Sequence, residues 1–162
     1  MINNIERLLT ILKEKADLID KINQGSDFHY KSIQSLILAY GKPFEKMVKS
    51  PFKGKPKSCF ENCLKALLRY PQLSYSEGFA IGDDIPIAVS HAWLVNDVGE
   101  VIDPTWVGKQ FKGNIYFGVA FNNDFVVEIA QKTRCYGILD NDYMNNYQLL
   151  REGFPPYALH QI

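Results

Sequence analysis

The sequence predicts an α+β fold in which N-terminal helices pack on an antiparallel sheet. Helical periodicity dominates residues 1–41, and segments rich in β-branched and aromatic residues follow a central helix within 58–121. Residues 122–162 mix helical and extended patterns. Because helices followed by a run of strands are typical of α+β proteins, we expect these three parts to form one domain over 1–162.

Composition excludes several classes of protein. Hydrophobic residues make up 46% of the chain and charged residues 22%, which are ordinary globular values. Eighteen basic and eighteen acidic residues give a net charge of zero, so no long-range field attracts nucleic acid or an anionic membrane. No segment approaches the ~20 apolar residues of a membrane span, and the N-terminus lacks a signal-peptide core. We expect a cytoplasmic protein with neither partner, and its oligomeric state stays open.

The N-terminal part predicts two helices and a loop. Apolar residues recur at spacings of three and four over residues 4–22, and a second helical pattern over 31–40 ends at Gly41. Residues 42–57 are rich in proline and lysine and predict a loop. Its six lysines are typical of a solvated surface, and the alternative is that they stabilise a thiolate or bind an acidic substrate. They are Lys42, Lys46, Lys49, Lys53, Lys55 and Lys57.

A helix is predicted to begin after Ser58. Ser58 and Glu61 match the capping box, in which each side chain accepts a hydrogen bond from the backbone amide of the other residue. The helical pattern ends before Pro71. Cys59 is then the first helical residue. Unpaired amides and the helix dipole favour a negative charge at that position, so Cys59 is a candidate thiolate.

The rest of the chain predicts an antiparallel meander followed by helices. Expected strands cover 75–81, 85–95, 101–102 and 115–121, and a loop covers 108–113. After them we expect a helix capped near Asn122 and running through Ile129, a short strand over 135–139, and a final helix from Asp140 through Leu150.

The cysteines indicate free thiols. Their number, three, does not suit a disulfide framework, and Cys59 and Cys63 have no matching Cys or His pair for zinc. We expect no metal and no cofactor. Cys63 lies one turn into the same helix among apolar neighbours and is interpreted as core, with a role as the nucleophile as the alternative. Cys135 is interpreted as an inert strand residue.

Cys59, His91 and Asp103 form a candidate catalytic triad. A thiol attacks well as the thiolate, which a neighbouring imidazole creates by accepting its proton, and a carboxylate on the far nitrogen fixes the imidazole. A turn at 96–99 would pair position 91 with about position 104, within one residue of Asp103. His29 and His160 have no supporting pattern.

Four segments of the sequence resemble the transglutaminase-like branch of the papain-like cysteine-enzyme superfamily. They are Cys59-Phe60-Glu61-Asn62, residues 75–80, His91-Ala92-Trp93 and Asp103-Pro104-Thr105-Trp106. The resemblance covers residues 58–106. It implies a papain-like or transglutaminase-like core with the nucleophile at a helix N-terminus. It also implies a cysteine-dependent hydrolase or acyltransferase that acts on amide, peptide or isopeptide bonds through a Cys59 thioester. A peptide or protein substrate is expected, with water favoured over an amine as acceptor.

Two departures from the family concern the oxyanion hole and calcium. Residues 51–58 contain no Gln, so the hole is expected to use the Cys59 amide and another donor. Asn62 is a candidate for that donor, and Trp93 and Trp106 are candidate cleft walls; the alternative for each is packing in the core. The sequence has no acidic cluster with calcium-loop spacing, so a calcium-activated crosslinker is not expected.

Two other functions remain open at the level of sequence. The fold could serve as a catalytically silent binding module or inhibitor that retains the triad as scaffold. It could also be a toxin- or defence-related protein modifier, such as a deamidase. Fold resemblance does not separate these functions from hydrolysis.

Overall fold

The α+β architecture is confirmed by a computed structural model, which describes residues 2–108, 111 and 113–162. Over residues 59–133 the helices and strands follow the predicted order, whereas a short strand at 42–44 and a 3₁₀ helix near the C-terminus were not predicted. The helices are α1 (Asn4–Ile22), α2 (Ile33–Tyr40), α3 (Cys59–Arg69), α4 (Asn123–Thr133), a 3₁₀ helix (Asp142–Asn145) and α5 (Gln148–Glu152). The strands are β1 (Lys42–Phe44), β2 (Ser74–Gly82), β3 (Ile85–Val95), β4 (Val101–Ile102) and β5 (Ile115–Ala120).

The two N-terminal helices form as the periodicity predicted. Asn3 and Glu6 make a capping box at the start of α1, where each side chain bonds the backbone amide of the other residue. Leu8 and Leu12 of the apolar stripe are fully buried. The stripe loses contact with the core toward the end of the helix, where Ile22 is 74% exposed. Helix α2 ends at Gly41, as predicted.

The sheet is wholly antiparallel but is not a simple meander. Its strand order is β1-β5-β2-β3-β4, so only β2, β3 and β4 follow one another as neighbours. Strand β5 pairs with the edge of β2 that β3 leaves free, and β1 pairs with the other edge of β5. The prediction of a loop over 42–57 is therefore wrong for β1. Pro43 is tolerated there because an edge strand leaves one row of backbone groups unpaired.

The two faces of the sheet pack against different clusters. Helices α1 to α4 cover one face and form the larger core with residues such as Tyr75, Leu94 and Phe117. A smaller cluster on the other face surrounds Trp93. Gly118 makes room for this indole, since a Cβ at position 118 would lie 2.9 Å from Trp93 Cη2.

The C-terminal part departs from two predictions. Helix α4 begins after Asn122, whose side chain accepts a hydrogen bond from the Asp124 amide, and it continues past Ile129 to Thr133. The segment 135–139 is not a strand, because the Ile138 amide bonds a buried carboxylate instead of a neighbouring strand. The predicted helix from Asp140 is also wrong. Two left-handed residues, Asn146 and Tyr147, separate the 3₁₀ helix from α5.

The predicted loop over 108–113 is described only in part. Lys109, Gln110 and Lys112 lie outside the described residues. Gly108 and Gly113 have φ values of 119° and 66°, a backbone conformation that glycine adopts readily. In the described part of the chain, no helix has the length and apolar character that crossing a membrane requires.

Candidate active site

The structure brings Cys59, His91 and Asp103 together. Cys59 is the first residue of α3 and is buried, with 9% of its surface exposed. His91 in β3 and Asp103 just after β4 are 2% and 3% exposed. His91 Nε2 lies 2.8 Å from Asp103 Oδ2, and the same imidazole interacts with Cys59. The histidine therefore stands between the thiol and the carboxylate.

The β3–β4 turn places the histidine beside the carboxylate. Val95 lies opposite Val101 and Leu94 opposite Ile102, a register that differs by one residue from the predicted pairing. Asn96 stabilises the turn by accepting a hydrogen bond from the Glu100 amide at 2.9 Å. Asp103 follows β4 directly, and this position brings its carboxylate into contact with His91.

Asp103 accepts four hydrogen bonds. Oδ1 accepts from the backbone amides of Thr105 and Trp106 at 2.9 and 3.0 Å, which explains the use of an Asp-Pro-Thr-Trp turn. Oδ2 accepts from His91 and from the Tyr116 hydroxyl, each at 2.8 Å. Burial raises the pKa of Asp103, but the His91 charge and these hydrogen bonds outweigh it and hold the pKa below its ordinary value. The carboxylate is therefore charged at neutral pH.

His91 is correspondingly held as an imidazolium. Burial lowers its pKa, but the charge and hydrogen bond of Asp103, followed by the hydrogen bond and charge of Cys59, raise the pKa to about 9. At neutral pH both ring nitrogens therefore carry protons. Nε2 donates to Asp103, which leaves Nδ1 for the sulfur. An imidazolium beside the sulfur stabilises the thiolate form that attacks carbonyl carbon.

The two candidate tryptophans have different surroundings. Trp106 stacks on His91 with a centroid distance of 4.1 Å and an interplanar angle of 24°, and it is half-buried, as expected for a cleft wall. Trp93 is fully buried and packs against Phe44 and Tyr116. The cleft interpretation of Trp93 is therefore corrected to the alternative of core packing.

Asn62 connects α3 to the loops around the triad. Its Nδ2 donates to the Lys55 carbonyl at 2.9 Å and to Thr105 Oγ1 at 2.8 Å, and its Oδ1 accepts from the Lys55 amide at 3.0 Å. Both Nδ2 protons are engaged, so the interpretation of Asn62 as an oxyanion donor is replaced by a structural role. Gly54 lies so close that a Cβ there would be 2.3 Å from Asn62 Cγ.

The predicted capping box at Ser58 does not form. Ser58 has φ −120° and ψ 45°, and its hydroxyl donates to the Pro56 carbonyl at 3.3 Å instead of accepting from the helix. Glu61 pairs with Lys55 and Lys65. Among the described residues, none accepts a hydrogen bond from the amides at positions 59–61. These amides are available to a negatively charged group near Cys59.

The other two cysteines have different environments. Cys63 is completely buried, and burial, followed by the charges of Asp103 and Cys59, raises the pKa of its thiol well above the ordinary value. A protonated, enclosed thiol suits the core role expected for Cys63. Cys135 lies in an irregular segment instead of the predicted strand, and its sulfur donates to the Thr133 carbonyl at 3.5 Å.

Two residues near the site escaped the sequence reasoning. Tyr116 in β5 bonds the triad carboxylate, and no local pattern marks it among the other aromatic residues of the strands. Glu77 was part of the family-like segment 75–80 but received no role. It is fully buried in β2 and accepts hydrogen bonds from the Tyr75 hydroxyl and the Ile138 and Asp140 amides. The available signal was a charged residue on the same strand face as Tyr75 and Phe79.

The described residues contain no group of three or more His, Cys, Asp or Glu side chains arranged to hold a metal ion. Comparisons with known proteins add no assignment, since no family model, curated protein or solved structure matches the chain.

Proposed function

We propose that this protein is a cysteine-dependent hydrolase or acyltransferase with a papain-like or transglutaminase-like core, acting on amide, peptide or isopeptide bonds. The observation that carries the proposal is the position of His91, which bonds Asp103 through Nε2 at 2.8 Å and also hydrogen-bonds the Cys59 side chain. A nucleophile, a proton carrier and an orienting carboxylate in this order are the parts that acyl transfer needs.

The reaction proceeds in two steps. The Cys59 thiolate attacks the substrate carbonyl carbon, forming the carbon–sulfur bond and a tetrahedral oxyanion. As the oxyanion collapses, the carbon–nitrogen bond breaks and His91 gives its proton to the leaving amine, which leaves a Cys59 thioester and neutral imidazole. Water then attacks the thioester with His91 taking its proton, and release of the carboxylic acid restores the thiolate and imidazolium.

The start of α3 supplies a place for the oxyanion. The amides at positions 59–61 have no acceptor among the described residues and lie at the positive end of the helix dipole. Backbone donors beside the nucleophile stabilise the charge that develops on the carbonyl oxygen. The Cys59 amide is the donor nearest to the attacking sulfur.

The same intermediate accounts for the related reactions. Water as acceptor gives hydrolysis, an amine gives acyl transfer, and a side-chain amide as substrate gives deamidation with ammonia as leaving group. Hydrolysis is the reaction we favour, because water needs no second binding site. The acceptor does not change the roles of the three residues.

A covalent trap tests the proposal. Incubation with p-nitrophenyl acetate, followed by acid quenching and intact-mass measurement, should give an adduct of one acetyl group that hydroxylamine removes at neutral pH, as expected of a thioester. Cys59→Ala should lack this adduct, and Cys63→Ala, the matched variant in the same helix, should retain it. A hydroxylamine-sensitive adduct that persists in Cys59→Ala would refute the assignment of the nucleophile.

A further inference from the structure

Two cavities lie along α3, the helix that begins with Cys59, although Cys59 itself lines neither of them. The first, of about 400 Å³, is lined by Ser58 and Phe60, the two sequence neighbours of Cys59, and by the segment 134–137. The second, of about 390 Å³, lies between α3 and α4. Arg134, Cys135 and Tyr136 line both cavities. The two cavities therefore adjoin, and together they form a groove that follows α3 from Phe60 in its first turn to Leu68.

The far part of the groove is apolar. Its floor includes Leu64, Leu67 and Leu68 of α3 and Val127 and Ala130 of α4. Leu68 is 90% exposed, although a helix normally turns its leucines toward the core. An exposed leucine beside other apolar side chains marks a surface that gains free energy when an apolar group covers it.

A cation stands where the two cavities join. Arg134 is exposed, and in the described part of the chain no carboxylate lies within ion-pair distance of its guanidinium. The other cation at the groove, Lys65, is already paired with Glu61. Arg134 is thus free to bind a carboxylate of a ligand in the groove.

The dimensions fit an extended peptide. Leu68 follows Cys59 by nine helical positions, which corresponds to about 13 Å along the axis at about 1.5 Å per residue. An extended chain covers this length in about four residues at about 3.3 Å each. Side chains two residues apart in an extended chain point to the same side, so the second and fourth residues from the reacting carbonyl can both face the groove.

We propose that this groove binds the acyl part of a polypeptide substrate, with an apolar side chain on Leu68 and its apolar neighbours and an acidic side chain at Arg134. The inference rests on the proposed function and names its substrate class. The acyl part remains attached to Cys59 in the thioester, so contacts in this groove hold the substrate through both steps of the reaction.

Peptides with a C-terminal vinyl sulfone test the inference. One probe carries Asp at the second and Leu at the fourth residue from the electrophile, and two others replace Leu by Ser or Asp by Asn. The rate of Cys59 labelling, measured by intact mass, should be about tenfold higher for the first probe than for the Ser probe. Leu68→Glu should abolish this preference, whereas Leu18→Glu, the same substitution on an exposed position of α1, should retain it.

The acidic contact has its own variant. Arg134→Asn keeps a residue that tolerates the left-handed backbone found there and should remove the preference for Asp over Asn. Iodoacetamide, which is too small to need the groove, should label Cys59 equally in all these variants. Equal vinyl sulfone rates for the three probes, with iodoacetamide labelling intact, would overturn the groove alone. Failure of iodoacetamide to label Cys59 in the wild type would overturn the proposed function and the groove with it.

Discussion

The Glu77 carboxylate holds the loop after α4 through the backbone of Ile138. Glu77 Oε2 accepts a hydrogen bond from the Ile138 amide at 2.7 Å, and Oε1 accepts one from the Asp140 amide at 2.8 Å. The loop contacts both sides of the candidate site. A Cβ at Gly137 would lie 3.4 Å from the ring of Phe60, the residue after Cys59, and Ser90, the residue before His91, donates to Asp140 at 3.2 Å.

Glu77→Gln should lower stability and remove one source of its pH dependence. The new amide group cannot accept from both loop amides, which costs about 1–3 kcal/mol. Burial raises the pKa of Glu77 from 4.5 to about 7. The folded state therefore holds this proton more tightly than the unfolded state, so the contribution of Glu77 is full below pH 4.5 and is lost as the pH rises through 7.

Urea unfolding of wild type and Glu77→Gln at several pH values measures this effect. The stability difference between them should shrink as the pH rises from 4.5 to above 7. A difference that stays constant across this window would mean that Glu77 does not titrate there.

Tyr116→Phe should slow the chemistry as well as destabilise the fold. Loss of the hydroxyl removes one of the donors to Asp103, at a cost of about 1–3 kcal/mol. Tyr75→Phe is a matched control, because its hydroxyl also donates at 2.8 Å to a buried carboxylate, that of Glu77. Stopped-flow alkylation of Cys59 at pH 6 should be slower in Tyr116→Phe than in the wild type and unchanged in Tyr75→Phe. Equal rates in the two variants would mean that Tyr116 has no specific role in the reactivity of Cys59.

Asn62→Ala should misplace Cys59 relative to His91. The side chain joins α3 to Lys55 and Thr105, and its loss leaves the part-buried Lys55 amide and carbonyl and the Thr105 hydroxyl without this partner, at a cost of about 1–3 kcal/mol. Alkylation of Cys59 should slow even where the variant remains folded by circular dichroism. An unchanged rate in a destabilised protein would confine Asn62 to a role in stability.

Asp103→Asn should lower the pKa of His91. In the wild type the carboxylate opposes the effect of burial and raises the His91 pKa to about 9. Without that charge, burial dominates and the pKa should fall toward or below its ordinary value of 6.5. The wild-type imidazolium stabilises the fold fully below pH 6.5, and this contribution is lost as the pH rises through 9.

An NMR titration of the imidazole carbon-bound protons follows this change directly. Its midpoint should lie near pH 9 in the wild type and well below that in Asp103→Asn. A wild-type midpoint near 6.5 would show that His91 does not form a stable pair with Asp103.

The sequence predicted the elements with strong local patterns. The bounds of β3 and β4 and the start of α3 at Cys59 agree with the structure, because β-branched runs and a helix following a proline-rich loop are local signals. The predictions failed where distant residues decide. The strand expected over 135–139 is absent because the Ile138 amide donates to the distant Glu77 carboxylate. Strand β5 pairs with β2 through a long-range contact that no turn residue indicates.

The candidate triad could be found from spacing, whereas its surroundings could not. Asp103 lies close enough to a short turn for its contact with His91 to be expected from register. Tyr116 reaches Asp103 from β5, and Asn62 reaches Thr105 from α3. The roles of both residues therefore depend on tertiary packing. The Ser58 cap does not form, since the Ser58 hydroxyl donates to the Pro56 carbonyl and the Glu61 carboxylate pairs with Lys55 and Lys65.

The most direct test of the account is site-resolved alkylation by iodoacetamide at pH 6, with mass mapping of all three cysteines. In the wild type and in Cys63→Ala, Cys59 should carry the label first, and in His91→Ala its rate should fall because the imidazolium that stabilises the thiolate is gone. Preferential labelling of Cys63 or Cys135, or a Cys59 rate that His91→Ala leaves unchanged, would contradict the thiolate–imidazolium pair.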